Sequence, residues 1–410
     1  MEKLRVRNQK HRANIRGLGL NVETWPRLRT SALSAELRVT PPPDDRASGA
    51  FLEMLPHLLE SSNIRLSKTS TLAPGRFEFI GHGAAGELEP ALEIFLYRWN
   101  KGGWSGLAFE AARRRALESV TARIHSPWAR LESNFRADVS AKAVRSTGDL
   151  LEALKRLGMS EFWSWWRAQR QRSTLSVYLA GAATQTGTDM AVARAFDERR
   201  QAPSSVWMPT LRAPAQSTES GRNRHALRMT FKTGVMTTDQ LGALLVINEL
   251  IGGHEGRLRV DLRGRQQVDL VTDVVSLDSG PALTVTITHP PGMESELREH
   301  IRSSLERMAE TSTVIEVIHS AIERILNGQA VDSRSPEGKV RLLQWQSALF
   351  KGNNPTSLDR NFRTAVQRVT PPDVQSLSKR LFVWSNRMET SSEKRSEAAT
   401  SKAVSLGGRP

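Results

Sequence analysis

The segment FLEMLPHLLESS (51–62) carries one histidine and two glutamates along an apolar stripe with helical spacing. With that residue set on a helical stripe, the segment reads like the remains of a zinc-binding helix. Metal-assisted hydrolysis also needs a general base beside the metal-bound water. Pro56 stands where that base is wanted. Proline has no side chain to accept a proton, removes a backbone donor and costs a helix interior ~3 kcal/mol. The plainer reading is a helix whose Phe, Leu and Met side chains are core, with His57 at the rim.

Spacing offers no second metal pair. The nine histidines, at 11, 57, 82, 125, 225, 254, 289, 300 and 319, include no i, i+3 or i, i+4 pair. Cysteine is absent, which excludes disulfides and thiolate sites. His82 and His289 fall at equivalent strand ends and are read as exposed ends. FWSWW (162–166) beside RAQRQR (167–172) would permit a stacking platform for bases. Core packing or a protein interface is the preferred reading, because Trp and Arg suit both settings.

The elements that must position these residues recur. In the first half SALSAELRV (31–39) alternates like a strand, an apolar helix covers about 47–60, GRFEFIGHG (75–83) alternates again, and ELEPALEIFLYRW (87–99) has helical spacing. In the second half HALRMTFKTG (225–234), LGALLVINELI (241–251), PALTVTITH (281–289) and MESELREHIRSSLERM (293–308) repeat that succession. Gly252-Gly253 is a helix stop signal. The pattern predicts an α+β fold of two related domains, a duplicated unit in which each mostly antiparallel sheet packs against helices. Further helices are expected around 105–125, 147–170, 189–199, 311–328, 338–350 and 372–381, with a strand at 173–181 and a polar loop at 329–337. The domains are placed at 15–200 and 225–387. The Pro-, Ser- and Gly-rich stretch 201–224 is a linker, and 388–410 is a polar tail expected to be disordered.

Composition narrows the class. At 410 residues the chain exceeds one ordinary core. No run reaches the ~18 apolar residues of a membrane helix, and the basic start MEKLRVRNQKHRANIRGLGL has no signal-peptide core. A cytoplasmic protein without a membrane segment is expected. The net charge of +15 rests on arginines spread along the chain. No nucleic-acid-binding motif accompanies them, so nucleic acid is not the expected partner.

Three stretches carry a family resemblance. GLGLNVETWPRLRTSALSAELRV (17–39) resembles an opening strand, turn and second strand. DLLEALKRL (149–157) with STLSVYLAG (173–181) resembles a domain-closing helix and strand. ALLVINELIGGHEGRLRVDLRGRQQVDLVTDVVS (243–276) resembles a second-domain helix, Gly-Gly break and "RL–LR" segment. Together they are similar to the pitrilysin-like metalloproteases, over about residues 15–385. That family includes the mitochondrial processing peptidases and small heterodimeric bacterial members.

Active members of that family carry an inverted His-x-x-Glu-His motif on a first-domain helix and a later glutamate as third zinc ligand. The resemblance puts Glu53 at the first histidine, Pro56 at the general base and His57 at the second histidine. In RRRALESVTARIHSPW (113–128) the family's paired acids match Glu118 and Ser119, and the ligand position falls on Ser119, or on Glu118 after a shift of one. A weak site of Glu53, His57 and Glu118 is the remaining metal option; the preferred reading has no metal in this chain. In heterodimeric members the zinc-free subunit supplies an Arg and a Tyr, seven residues apart, that grip the peptide. Here they fall on Arg263 and Leu270. An arginine can donate paired hydrogen bonds to a carbonyl or carboxylate, whereas leucine cannot stabilise an oxyanion. Arg257, Arg259 and Arg265 surround Arg263, which could instead be a solvated or salt-bridged arginine.

The resemblance implies a non-catalytic subunit without a cofactor of its own. It would pair with a zinc-bearing paralogous subunit to enclose a chamber and hold peptide substrate. The alternatives are a homodimeric binding or scaffold protein with no protease partner, a basic nucleic-acid binder, and a divergent zinc hydrolase.

Overall fold

The computed structural model describes residues 9–392 except 16–17, 25–29, 39–45, 61–64, 70–75, 85–86, 125, 140–146, 198–223, 266, 278 and 351–356. Residues 201–223 of the proposed linker and residues 393–410 of the tail lie outside the described residues.

The first half is built on strands β1 (Gln9–Ile15), β2 (Leu18–Thr24), β3 (Thr30–Arg38), β4 (Arg65–Thr69), β5 (Arg76–Ala84) and β6 (Thr174–Gly181). They form one sheet in the order β1-β2-β6-β3-β5-β4. Every pairing is antiparallel except β2 with β6. The alternation in β3 and β6 has a direct consequence. Leu33, Ala35 and Leu37, with Leu175, Val177 and Leu179, point to one face. There they meet the helices α1 (Arg46–Leu59), α2 (Leu88–Lys101), α3 (Gly106–Ile124), α5 (Thr147–Arg156), α6 (Met159–Arg172) and α7 (Gln185–Phe196). Gly102 ends α2 at a φ of +73°, where an added Cβ would stand 2.5 Å from the Trp163 ring. Both the left-handed backbone and the ring require glycine there.

The second half repeats the order strand, apolar helix, strand, strand, helix. Strands β7 (His225–Lys232), β8 (Asp269–Leu277), β9 (Gly280–His289) and β10 (Met388–Ser391) form an antiparallel sheet in the order β10-β7-β9-β8. Helices α8 (Thr238–Gly252), α9 (Arg257–Asp261), α10 (Glu294–Glu310), α11 (Ile315–Asp332), α13 (Leu358–Gln367) and α14 (Pro371–Leu381) belong to this half. They cover the face bearing Leu227, Met229, Phe231, Leu283, Val285 and Ile287. The helix α8 stops at the expected glycines. An added Cβ on Gly252 would lie 1.8 Å from Thr272 Oγ1, so the helix end can press on β8 only as glycine.

The opposite faces of the two sheets are covered reciprocally. Helix α12 (Pro336–Leu349), from the second half, lays Val340 and Leu343 on Ala32, Ile80, Tyr178 and Ala180 of the first sheet. There Ser34 donates to Gln344. Helix α4 (Pro127–Val139), from the first half, lays Phe135 on Leu277 and Ala282 of the second sheet. The Arg228 guanidinium sits over the Phe135 ring at 5.2 Å, and Asn134 Nδ2 donates to Ser391 O at 2.8 Å.

Several local expectations are corrected. The segment 329–337 is no loop: α11 continues to Asp332, and α12 starts at Pro336 behind Ser335, whose Oγ accepts from Gly338 N at 3.0 Å. The segment from 388 opens with β10, whose polar METS sequence is held by backbone pairing to β7. His289 is 1% exposed and stacks edge-on with His225 across the β7–β9 pair, at 6.0 Å between ring centroids, so it is no exposed strand end. No helix among the described residues is long and apolar enough to cross a membrane.

Candidate functional site

Helix α1 buries Phe51, Leu52, Met54, Leu55, Leu58 and Leu59 in the first core. A helix apolar on most sides leaves its few charges little water. Glu53 is 6% exposed and Glu60, one residue past the helix, 5%. Carboxylates that buried need cationic or hydrogen-bonding partners. Helix α3 provides them. Arg115, Ser119 and Arg123 stand four apart, so they form one stripe along it. Arg123 Nη2 pairs with Glu53 Oε2, and Arg115 Nη1 donates to Glu60 Oε2 at 2.8 Å.

The other positions that the family resemblance aligns with a zinc motif sit around this brace. Pro56 is buried, and the helix runs on through it, with Glu60 N donating to Pro56 O at 3.0 Å. His57 is partly exposed; its Nδ1 lies 3.4 Å from Glu60 Oε1 but makes no hydrogen bond. Ser119 and Glu118 are both exposed on α3, and the Ser119 carbonyl accepts from Arg123 Nε at 3.2 Å. Arg98, on α2, also faces Glu60. Burial lowers its pKa, the Glu60 charge opposes that, and its Nη1 has no hydrogen-bond partner. Trp104 Nε1 donates at 2.8 Å to Leu58 O, one of the carbonyls a helix end leaves open.

The fit of zinc to this group is poor. Of the aligned ligand positions, Glu53 already spends an oxygen on a guanidinium, and the stripe that should bring a third ligand brings two arginines instead. A divalent cation would enter beside fixed positive charge. Among the described residues no cluster of three His, Cys, Asp or Glu stands where it could hold a metal ion. The two arginines were legible in the α3 sequence, but their partners are 70 and 55 residues away and no local signal joins them.

In the second half, Arg263 is exposed and its Nη2 donates to His254 O at 3.0 Å, at the turn after α8. Leu270 is buried in β8 against the second core. Arg259 bridges the same region, with Nε on Gly252 O at 3.0 Å and Nη2 on Leu270 O at 3.1 Å. Arg265 pairs with Glu296. The arginine-rich segment is thus largely stitched to its own backbone and acids. The FWSWW aromatics are core. Phe162 and Trp166 are buried, Phe162 meets Phe51 at 5.4 Å, and Trp166 meets Trp104 at 5.4 Å between centroids. Trp165 Nε1 donates to Ser48 Oγ at 2.9 Å.

No family model and no curated protein matches the sequence. Solved structures do match the fold. A protease from Helicobacter pylori is 12% identical, with a TM-score of 0.70, covering 94% of this chain and 99% of the other. A chain assigned as an M16-like peptidase from Alicyclobacillus acidocaldarius is 12% identical, with a TM-score of 0.67, over 95% of this chain and 99% of the other. A chain of complex III2 from Candida albicans is 10% identical, with a TM-score of 0.67, over 92% and 93%. At such identities the likeness speaks for the fold. The two-domain α+β architecture is shared with these solved chains over nearly their full lengths.

Proposed function

We propose that this chain is a non-catalytic peptidase subunit that pairs with a zinc-bearing paralogue. Together they would enclose a peptide-processing chamber in the cytoplasm. One observation carries the reading: the guanidiniums of Arg115 and Arg123 take up the two buried carboxylates of the motif region, while Pro56 stands at the general-base position. The fold supports a link to peptide processing, because it occurs in a chain named a protease and in one assigned as an M16-like peptidase. It also occurs in a chain of complex III2, so fold alone does not imply cleavage. Under this reading the zinc belongs to the partner. Arg263, exposed beside the α8 turn, contributes to holding peptide.

The test is purification of the tagged chain from its native cell. A stoichiometric partner with an intact His-x-x-Glu-His motif is expected, with peptide hydrolysis by the pair and none by the isolated chain. An isolated chain that carries one equivalent of zinc and cleaves peptides would overturn the proposal.

A further inference from the structure

The outermost strand next to the degenerate helix is β4, at the end of the first sheet. An outer strand offers unpaired N–H and C=O groups, and an extended peptide can join the sheet there. One of those groups is already taken. Leu66 N, in β4, donates to Glu60 Oε1 at 3.2 Å, and the other oxygen of Glu60 is held by Arg115 at 2.8 Å. In an antiparallel strand the groups of alternate residues face the same side, so Leu66 and Lys68 share the outward side of β4. The repeat-equivalent outer strand, β8, shows the same device with reversed polarity. Its Leu270 carbonyl accepts from Arg259 Nη2 at 3.1 Å and its Val274 carbonyl from Trp345 Nε1 at 3.0 Å.

We propose that Glu60, clamped by Arg115, is an internal competitor for strand addition at β4. An extended peptide gains the Leu66 amide only by displacing a carboxylate that is 5% exposed and fixed to a guanidinium. In the isolated chain that amide is therefore closed to an added strand, and an extended peptide that joins β4 there must first break the Glu60–Leu66 contact. This rests on the peptide-holding reading given above.

The experiment uses the full chain and a fluorescein-labelled unstructured peptide, read by anisotropy and by amide hydrogen exchange. Glu60→Ala removes the competitor and binds about tenfold tighter than wild type, the scale of one hydrogen bond to a charged group (~1.4 kcal/mol). Peptide then slows exchange of the Leu66 amide in the variant. If Glu60→Ala fails to fold, Glu60→Gln serves: it keeps an acceptor but loses the charge, and binds tighter than wild type by a smaller factor. Wild type that binds as tightly as a folded variant, with Leu66 protected by peptide, overturns the competitor role and leaves the peptide-holding reading intact. Absence of binding by every form removes both.

Discussion

Removal of Arg123 tests the brace between α1 and α3. Arg123→Ala leaves Glu53 almost wholly enclosed without its guanidinium. Taking one partner from a fully buried ion pair costs ~3–5 kcal/mol, because the other charge stays behind unpaired. Here the arginine side chain is 39% exposed, so water reaches one side of the pair, and Glu53 keeps other polar contacts. Screening reduces the expected loss to ~1–2 kcal/mol. For a domain of this size that lowers the melting temperature by about 2–8 °C. Circular dichroism melts of wild type, Arg123→Ala, Glu53→Gln and the double variant measure it. Because the two residues share one interaction, the double variant should lose less than the sum of the singles. Zinc added to wild type should leave the melt unchanged, since the ligand oxygen is occupied. Additive losses, an Arg123→Ala melt at or above that of wild type, or a wild-type melt raised by zinc would each refute the brace.

Other outcomes follow from the same geometry. Under the proposed pairing, Arg263→Ala should slow peptide cleavage by the complex about tenfold, the scale of one charged hydrogen bond, with the melt unchanged; unaltered turnover would refute a peptide-holding role for Arg263. Pro56→Glu should produce neither hydrolysis nor zinc binding, since Glu53 remains bound to Arg123; peptide cleavage by that single variant would show the motif register to be wrong. Phe135→Ala should cost ~3 kcal/mol and separate the unfolding of the two halves, because its ring fills the α4 contact with the second sheet; a single unshifted transition in calorimetry would count against that contact.

The duplicated succession of strands and helices was legible because its apolar periods are clean, and α1 and α8 lie where those periods put them. Periodicity was less useful where polar residues do structural work. QAVDSRSPE (329–337) reads as loop, yet Gln329 is buried within α11 and Ser335 caps α12. METS has no apolar alternation, and β10 exists through its ladder with β7. The short polar RLSKT gave little sign of β4, although that strand carries the amide taken by Glu60. The resemblance assigns Glu53, Pro56 and His57 to motif positions, and the helix that carries them was legible in the sequence. What surrounds them was not, because the deciding ion pairs join residues 55 and 70 positions apart.

The exchange of α4 and α12 ties the fates of the two copies. A gene divided between them would give two polypeptides, each with a sheet face laid bare where its sibling's helix belongs. Such fragments should precipitate apart and recover when refolded as a mixture. Each unit thus carries the cover of the other's sheet rather than of its own.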